Sequence, residues 1–165
     1  MTTEPVSIPD ELPTAQKLAK HPRWEWRAGV LIGGDGELAG WRVMLVDHCG
    51  ITFTRNGQSW AVSHGRIASF ALVPDLADDA TAGIVLGMVR AWGEANDHPR
   101  VDLCICRHPD SGPEPTASVS VGHWRGTGPY IEGTGPTLGD AAAACLLACW
   151  ARDDAQSTET DRSAQ

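Results

Sequence analysis

Two segments of this chain can be stable as helices only if something lies under them, and that requirement constrains the fold more than any other feature. From Asp78 to about Ala95 the apolar residues Ile84, Val85, Met88, Val89 and Trp92 recur three and four positions apart, with Arg90 and Glu94 on the opposite, wet side. Pro74-Asp75-Leu76-Ala77-Asp78-Asp79 reads as its start, because Asp78 can accept from the free N–H groups of the first turn and acids suit the positive end of the dipole. Asn96-Asp97-His98-Pro99 closes it. A second helix is expected from Leu138 to about Arg152, rich in alanine, with Cys145, Leu146, Cys149 and Trp150 on its apolar side. Each apolar face must be buried on another element, so at least two layers are required.

Strands supply the other layer. Asn56-Gly57, between Ile51–Thr54 and Ser59–Val62, is the strongest hairpin signal in the chain. Further extended runs are Ala28–Ile32, leading into the turn Gly33-Gly34-Asp35-Gly36, then Trp41–Val46 and Ile67–Val73, which Pro74 stops. Trp24 and Trp26 alternate with charged neighbours and begin this strand region. In the second half Val101–Arg107 reads as a central strand covered on both sides, Ala117–Gly122 alternates valine with serine, and Pro129–Glu132 is a short last strand. The class is therefore α+β: an antiparallel strand-rich N-terminal half, then helix, three strands and helix packed on a sheet. Residues 1–12 read as a flexible lead, and Pro13 suits the first turn of a short helix from Thr14 to about Lys20. Residues 13–152 form one domain, with a division into 13–74 and 75–152 left open; residues 153–165, small, polar and charged, read as a disordered tail.

Composition narrows the function classes. The chain has 165 residues and a formal net charge of −8, which sets it against phosphate backbones and disfavours nucleic acid as a partner. Neither a basic, apolar leader nor a run of roughly 20 apolar residues is present, so a cytoplasmic protein without membrane contact is expected. Five cysteines without a CxxC favour reduced thiols over a disulfide framework. Cys104-Ile105-Cys106-Arg107-His108 could offer two thiolates and an imidazole from one strand face, the basis of a metal or thiol enzyme as an alternative reading. A fourth ligand is not evident, and small apolar thiols also suit a buried strand, so no metal and no cofactor are expected.

Catalytic patterns do not emerge. No Walker lysine follows a glycine-rich loop, no GxSxG elbow is present, and Ser63-His64 places neighbours on opposite strand faces. Asp75, Asp78 and Asp79 are explained by helix capping. Several of the six histidines lie beside Pro or Gly at element ends and read as loop residues. A non-enzymatic role is expected, and tryptophan is the residue to follow, with seven of them in the chain. Trp41, Trp92 and Trp150 sit in apolar patterns and belong to the core. Trp24, Trp26, Trp60 and Trp124 stand beside polar residues, and with His123 and Arg125 they form the expected binding surface, since Trp is enriched at interface hot spots.

Two resemblances bear on these expectations. Trp24-Glu25-Trp26-Arg27-Ala28-Gly29-Val30-Leu31, the helix start at Pro74-Asp75-Leu76 with Asp78, Ala80, Thr81 and Gly83, and the Gly133-Thr134-Gly135-Pro136-Thr137 entry to the last helix resemble a family of small, uncharacterised phage and prophage proteins akin to the phage ABA-sandwich domain. Asp79, where that family often has proline, and the long Cys-rich middle strand depart from the pattern. The resemblance implies a phage or prophage origin and a bacterial cytoplasm, and brings no known activity. The segment from about Thr81 to Trp150 is similar in element order to a double-stranded-RNA-binding domain, but Thr137, Leu138, Gly139 and Asp140 stand where that module presents lysines to phosphate. The leading expectation is a phage accessory protein that binds a host or phage protein, possibilities including inhibition of a host defence or nucleic-acid-processing complex; the alternative is a structural protein that oligomerises.

Overall fold

A computed structural model describes residues 12–106, 116–122 and 130–163. The chain divides into two compact units, the first ending at Ile84 and the second beginning at Val85. That division falls ten residues later than the 74/75 position suggested by the sequence, inside a helix rather than before it. Both units combine helix with antiparallel sheet, so the class is α+β.

In the first unit, α1 (Thr14–Lys20) precedes a long irregular stretch and then β1 (Arg42–Val46), β2 (Gly50–Arg55) and β3 (Gln58–Ser63), paired antiparallel in the order β1-β2-β3. The β2–β3 turn is the Asn56-Gly57 pair, with φ of 52° and 78°, the positive values a tight turn with right-handed strand twist demands. One face of this sheet is filled by Val30, Ile32, Leu38, Trp41, Val43, Ile51, Phe53 and Val62. Two runs expected as strands do other work. Ala28–Ile32 bends at Gly29 (φ 98°) and pairs only in part: Gly29 N–H donates to Val43 O, Val43 N–H to Val30 O and Ile32 N–H to Trp41 O around the isolated bridges Leu31↔Arg42 and Ile32↔Pro74, while the Val30 and Ile32 side chains enter the core. Residues 67–73 follow the short helix α2 (His64–Ile67) and close local turns, Phe70 N–H donating to Ile67 O and Leu72 N–H to Phe70 O. Phe70 and Leu72 pack against the sheet core from there. Apolar content satisfied by plugging a core gives the same residue pattern as a short strand, which is why the period misleads here.

Helix α3 (Asp79–Ala95) begins in the first unit and ends in the second. Its start is the acid cap the sequence predicts: Asp78 Oδ2 accepts from Thr81 N–H at 2.9 Å and from the Thr81 hydroxyl at 2.9 Å.

In the second unit β4 (Arg100–Cys106), β5 (Thr116–Gly122) and β6 (Ile131–Gly135) pair antiparallel in the order β4-β5-β6. Helix α4 (Leu138–Ser163) lies directly on β6: a Cβ added to Gly133 would come within 2.1 Å of Cys145 N and 2.4 Å of Ala141 O. Glycine on the strand and alanine on the helix therefore bring the two backbones together. Thr137 and Asp140 close the N-terminus of α4 reciprocally, Asp140 N–H donating to Thr137 Oγ1 at 3.1 Å and the Thr137 hydroxyl donating to Asp140 Oδ2 at 2.6 Å.

Two expectations need correction in this unit. Residues from Asp153 onward, expected as a disordered tail, continue α4 as far as Ser163. No Pro or Gly interrupts them, Trp92 Nε1 donates to Asp153 Oδ2 at 3.0 Å, and Arg152 Nη1 lies 3.2 Å from His98 Nε2, where His98 stacks on Trp92. These side-chain ties hold the first turn of a segment too polar to be held by a core. The second correction concerns β4, which among the described residues is an edge strand rather than a central one.

Candidate functional site

The tryptophans expected at a binding surface are drawn inward where the structure describes them. Trp24 is buried, and Trp26 is half-buried with its ring 5.6 Å from that of Trp24 in an edge-to-face pair. Trp60 is half-buried, edge-on to Trp41 at 6.0 Å and to Phe70 at 5.7 Å. A polar neighbour in sequence is no guide to exposure on a strand, because adjacent residues face opposite ways. His123, Trp124 and Arg125 lie outside the described residues. Trp41, Trp92 and Trp150 are buried, in agreement with their apolar patterns.

Exposed apolar surface lies elsewhere. On β4, Leu103 is 54% and Ile105 72% exposed. Register explains why. Leu103 pairs with Val119 and Ile105 with Ala117, so all four point to one face of the sheet. Val119 and Ala117 are buried there. On the adjoining strand, Gly133, paired with Val119, meets the backbone of α4, and Gly93 of α3 sits against the Val121 side chain at the far end of the same face. Helical cover thus reaches β6, β5 and the Val121 end, and it stops short of the Leu103–Ile105 end of β4. The outer backbone edge of β4 has no strand beside it among the described residues. An apolar ledge and an edge with no neighbouring strand among the described residues coincide on β4, the combination that templates a further strand.

The opposite face of this sheet is polar and acidic. Arg100 Nε is 2.7 Å from Asp102 Oδ2, and the Ser118 hydroxyl donates to Glu132. Charges at residues 100 and 102 were the available signal that β4 has a wet face, since a strand covered on both sides would carry none. On the first sheet the edge strand β1 also presents apolar residues, Met44, Leu45 and Val46, but a register shift between Val43 and Leu45 breaks its ladder there. Such a bulge twists an edge away from regular pairing.

The acids considered for catalysis are committed to structure. Arg42 holds Asp78 through both carboxylate oxygens, at 2.8 and 3.0 Å, and also donates to Gly29 O. The Asp78 carboxyl is held well below the usual carboxylate range by the Arg42 hydrogen bond first, with those of the Thr81 N–H and hydroxyl adding to it against the cost of burial. Thr81, fully buried, accepts from Leu31 N–H at 2.9 Å. Asp75 accepts from Ala77 N–H at 3.0 Å in a local turn.

The cysteines separate into different environments. Cys145 and Cys149 are free and buried, and the hydrogen bond to Cys145 together with burial drives the Cys149 thiol far above its usual range, so it stays protonated. Cys49 is free and exposed. Cys104 is disulfide-bonded, a correction to the expectation of reduced thiols throughout. It is exposed on an edge strand, where no burial withholds its sulfur from oxidation. A disulfide sulfur offers no thiolate to a metal; the side chains of Cys106 and His108 lie outside the described residues. Among the described residues no helix is long and apolar enough to cross a membrane. No family model, curated protein or solved structure matches the chain.

Proposed function

We propose that this chain is a non-enzymatic accessory protein that acts by binding a protein partner, and that the partner adds an extended strand to the outer edge of β4. The observation that carries this reading is the coincidence of Leu103 and Ile105, 54% and 72% exposed, with a strand edge beside which no other described strand lies. Strand addition takes its affinity from main-chain hydrogen bonds and its selectivity from alternate side chains, and here those would be apolar groups seated over Leu103 and Ile105. The net charge of −8 favours a basic partner over a second copy of this acidic chain. The acidic surface also works against nucleic acid: at the start of α4, Asp140 is engaged with Thr137 where an RNA-binding module would present lysine. A phage or prophage setting and a bacterial cytoplasm rest on the sequence resemblance, and the choice of a host defence or nucleic-acid-processing complex as the target belongs to the same reading.

The test uses the full chain as bait for bacterial host proteins, beside the Leu103→Lys/Ile105→Lys double variant. A partner retained by the parent and lost by the double variant, with cross-links mapping to residues 100–106, supports the reading. Capture that is unchanged in the double variant removes it. A concentration-dependent dimer of the parent that the double variant abolishes would replace it with the oligomerising structural protein.

A further inference from the structure

Independently of the β4 edge, the three-residue loop joining β1 to β2 brings together ligand atoms of three kinds. Asp47, His48 and Cys49 are all exposed, and a carboxylate oxygen, an imidazole nitrogen and the Cys49 sulfur lie within 4.8 Å of one another. We propose that this loop binds a zinc-class divalent cation through Asp47, His48 and Cys49, leaving a fourth coordination position open to water or a small ligand.

Loop geometry prepares the donors. Asp47 Oδ1 accepts from Cys49 N–H at 2.8 Å and from Gly50 N–H at 3.1 Å, which fixes the turn and leaves Oδ2 for a cation. His64, first residue of α2, clamps the loop from the other side: its N–H donates to Cys49 O at 3.3 Å and its Nε2 lies 2.8 Å from Asp47 O. Gly50 allows the close approach this requires, since a Cβ there would come within 2.1 Å of Val62 O. A shallow cavity of about 330 Å³, lined in part by Asp47, Cys49, Thr52 and Ser63, adjoins the loop and gives a ligand in the fourth position somewhere to lie.

The donor set selects the class of ion. Thiolate and imidazole favour borderline to soft metals over magnesium or calcium, which take oxygen. Zinc bonds of about 2.0–2.3 Å place tetrahedral ligand atoms roughly 3.3–3.8 Å apart, so side-chain rotation of about an ångström closes the site around an ion. Binding exchanges metal-bound waters for the three side chains, and the Cys49 thiol gives its proton to solvent as the sulfur–metal bond forms. His64 is a positioning residue: it holds the loop and gives the ion no bond.

Cobalt(II) titration of the full chain tests this, because a cobalt–thiolate bond produces a near-ultraviolet charge-transfer band and tetrahedral cobalt an intense visible spectrum. The expected result is saturation at one equivalent, displacement by zinc, and loss of the band in Cys49→Ser and Cys49→Ala with the far-ultraviolet circular dichroism of the parent. His48→Ala and Asp47→Ala should each weaken binding at least about tenfold. His64→Ala should weaken it by about 10–100-fold, the range for groups that orient ligands, while keeping the charge-transfer band. Cys104→Ser should bind as the parent does. No band in the parent, a band that survives in both Cys49 variants, or unaltered affinity in His48→Ala overturns the proposal.

Discussion

The two sheets of this protein are stabilised by opposite means. In the first unit large side chains fill the space beside the sheet: Trp41 and Phe53 among the buried residues, with Trp60 and Phe70 packed edge-on behind them. In the second unit Gly133 on the strand and Ala141, Ala142, Ala143 and Cys145 on the helix remove side-chain volume, so α4 and β6 meet almost backbone to backbone. A sheet stabilised by bulk is damaged by deletion, and one stabilised by closeness is damaged by addition.

The sharpest way to break that contrast is a pair of reciprocal substitutions followed by chemical denaturation. Phe53→Ala removes a side chain with no exposed surface and should cost about 3–5 kcal/mol, the range for deleting a core phenylalanine. Gly133→Ala adds a single methyl group and should cost about 1–3 kcal/mol, because that carbon would overlap Cys145 N and Ala141 O and α4 must move off the strand. If Gly133→Ala is neutral, the close contact of helix and strand is not what holds the second unit.

A smaller effect separates the units by pH. Arg42 and Asp78 tie the start of α3 to β1 within the first unit. The folded Asp78 carboxyl lies below its unfolded value, so its contribution is complete above the ordinary carboxylate range and is lost as pH falls through and below about 4. Asp78→Asn should cost about 1–2 kcal/mol at neutral pH, the scale of a lost cap, and should flatten the acid limb of the stability curve. An acid limb as steep in Asp78→Asn as in the parent would assign acid sensitivity to other carboxylates.

Different parts of this design were legible in the sequence to different degrees, for physical reasons. Helices α3 and α4 and the Asn56-Gly57 hairpin are local: periodicity, caps and positive-φ residues specify each of them without reference to the rest of the chain. The Ala28–Ile32 and Ile67–Val73 runs are not local. Whether such residues form a regular strand depends on where distant segments arrive: Val30 and Ile32 pair in part beside β1 and fill the core, and Phe70 packs against that core from a turn. Sheet order is also non-local. Nothing between Val101 and Cys106 states whether a further strand lies outside it, so burial was inferred for Leu103 and Ile105 where exposure is found. Neighbour identity misled for Trp24, which is buried, because a polar residue beside a tryptophan can point elsewhere and reports nothing of what the indole meets; Trp26 and Trp60 are half-buried, with part of each indole left to solvent. The Asp47-His48-Cys49 loop carried its signal openly, three ligating residues in a row, but only the folded hairpin brings His64 to it.

The smallest expected stability effect tests the functional reading most directly. Ile105 is 72% exposed on the edge of β4, so Ile105→Lys removes little packing and should change the unfolding free energy by no more than about 0.5 kcal/mol in either direction. On the neighbouring strand, Val119 has no exposed surface on the same face of the sheet, and Val119→Ala should cost more than Ile105→Lys. Two apolar residues on one face of one sheet would then differ because one is covered by the protein's own helix and the other is left for something else to cover. A lysine at residue 105 also places a charge on an open edge, which blocks addition of a strand. Unchanged stability with lost partner capture is therefore the expected signature of a docking edge. A large loss of stability in Ile105→Lys would instead make Ile105 part of the fold's own core and leave β4 without a ledge to offer.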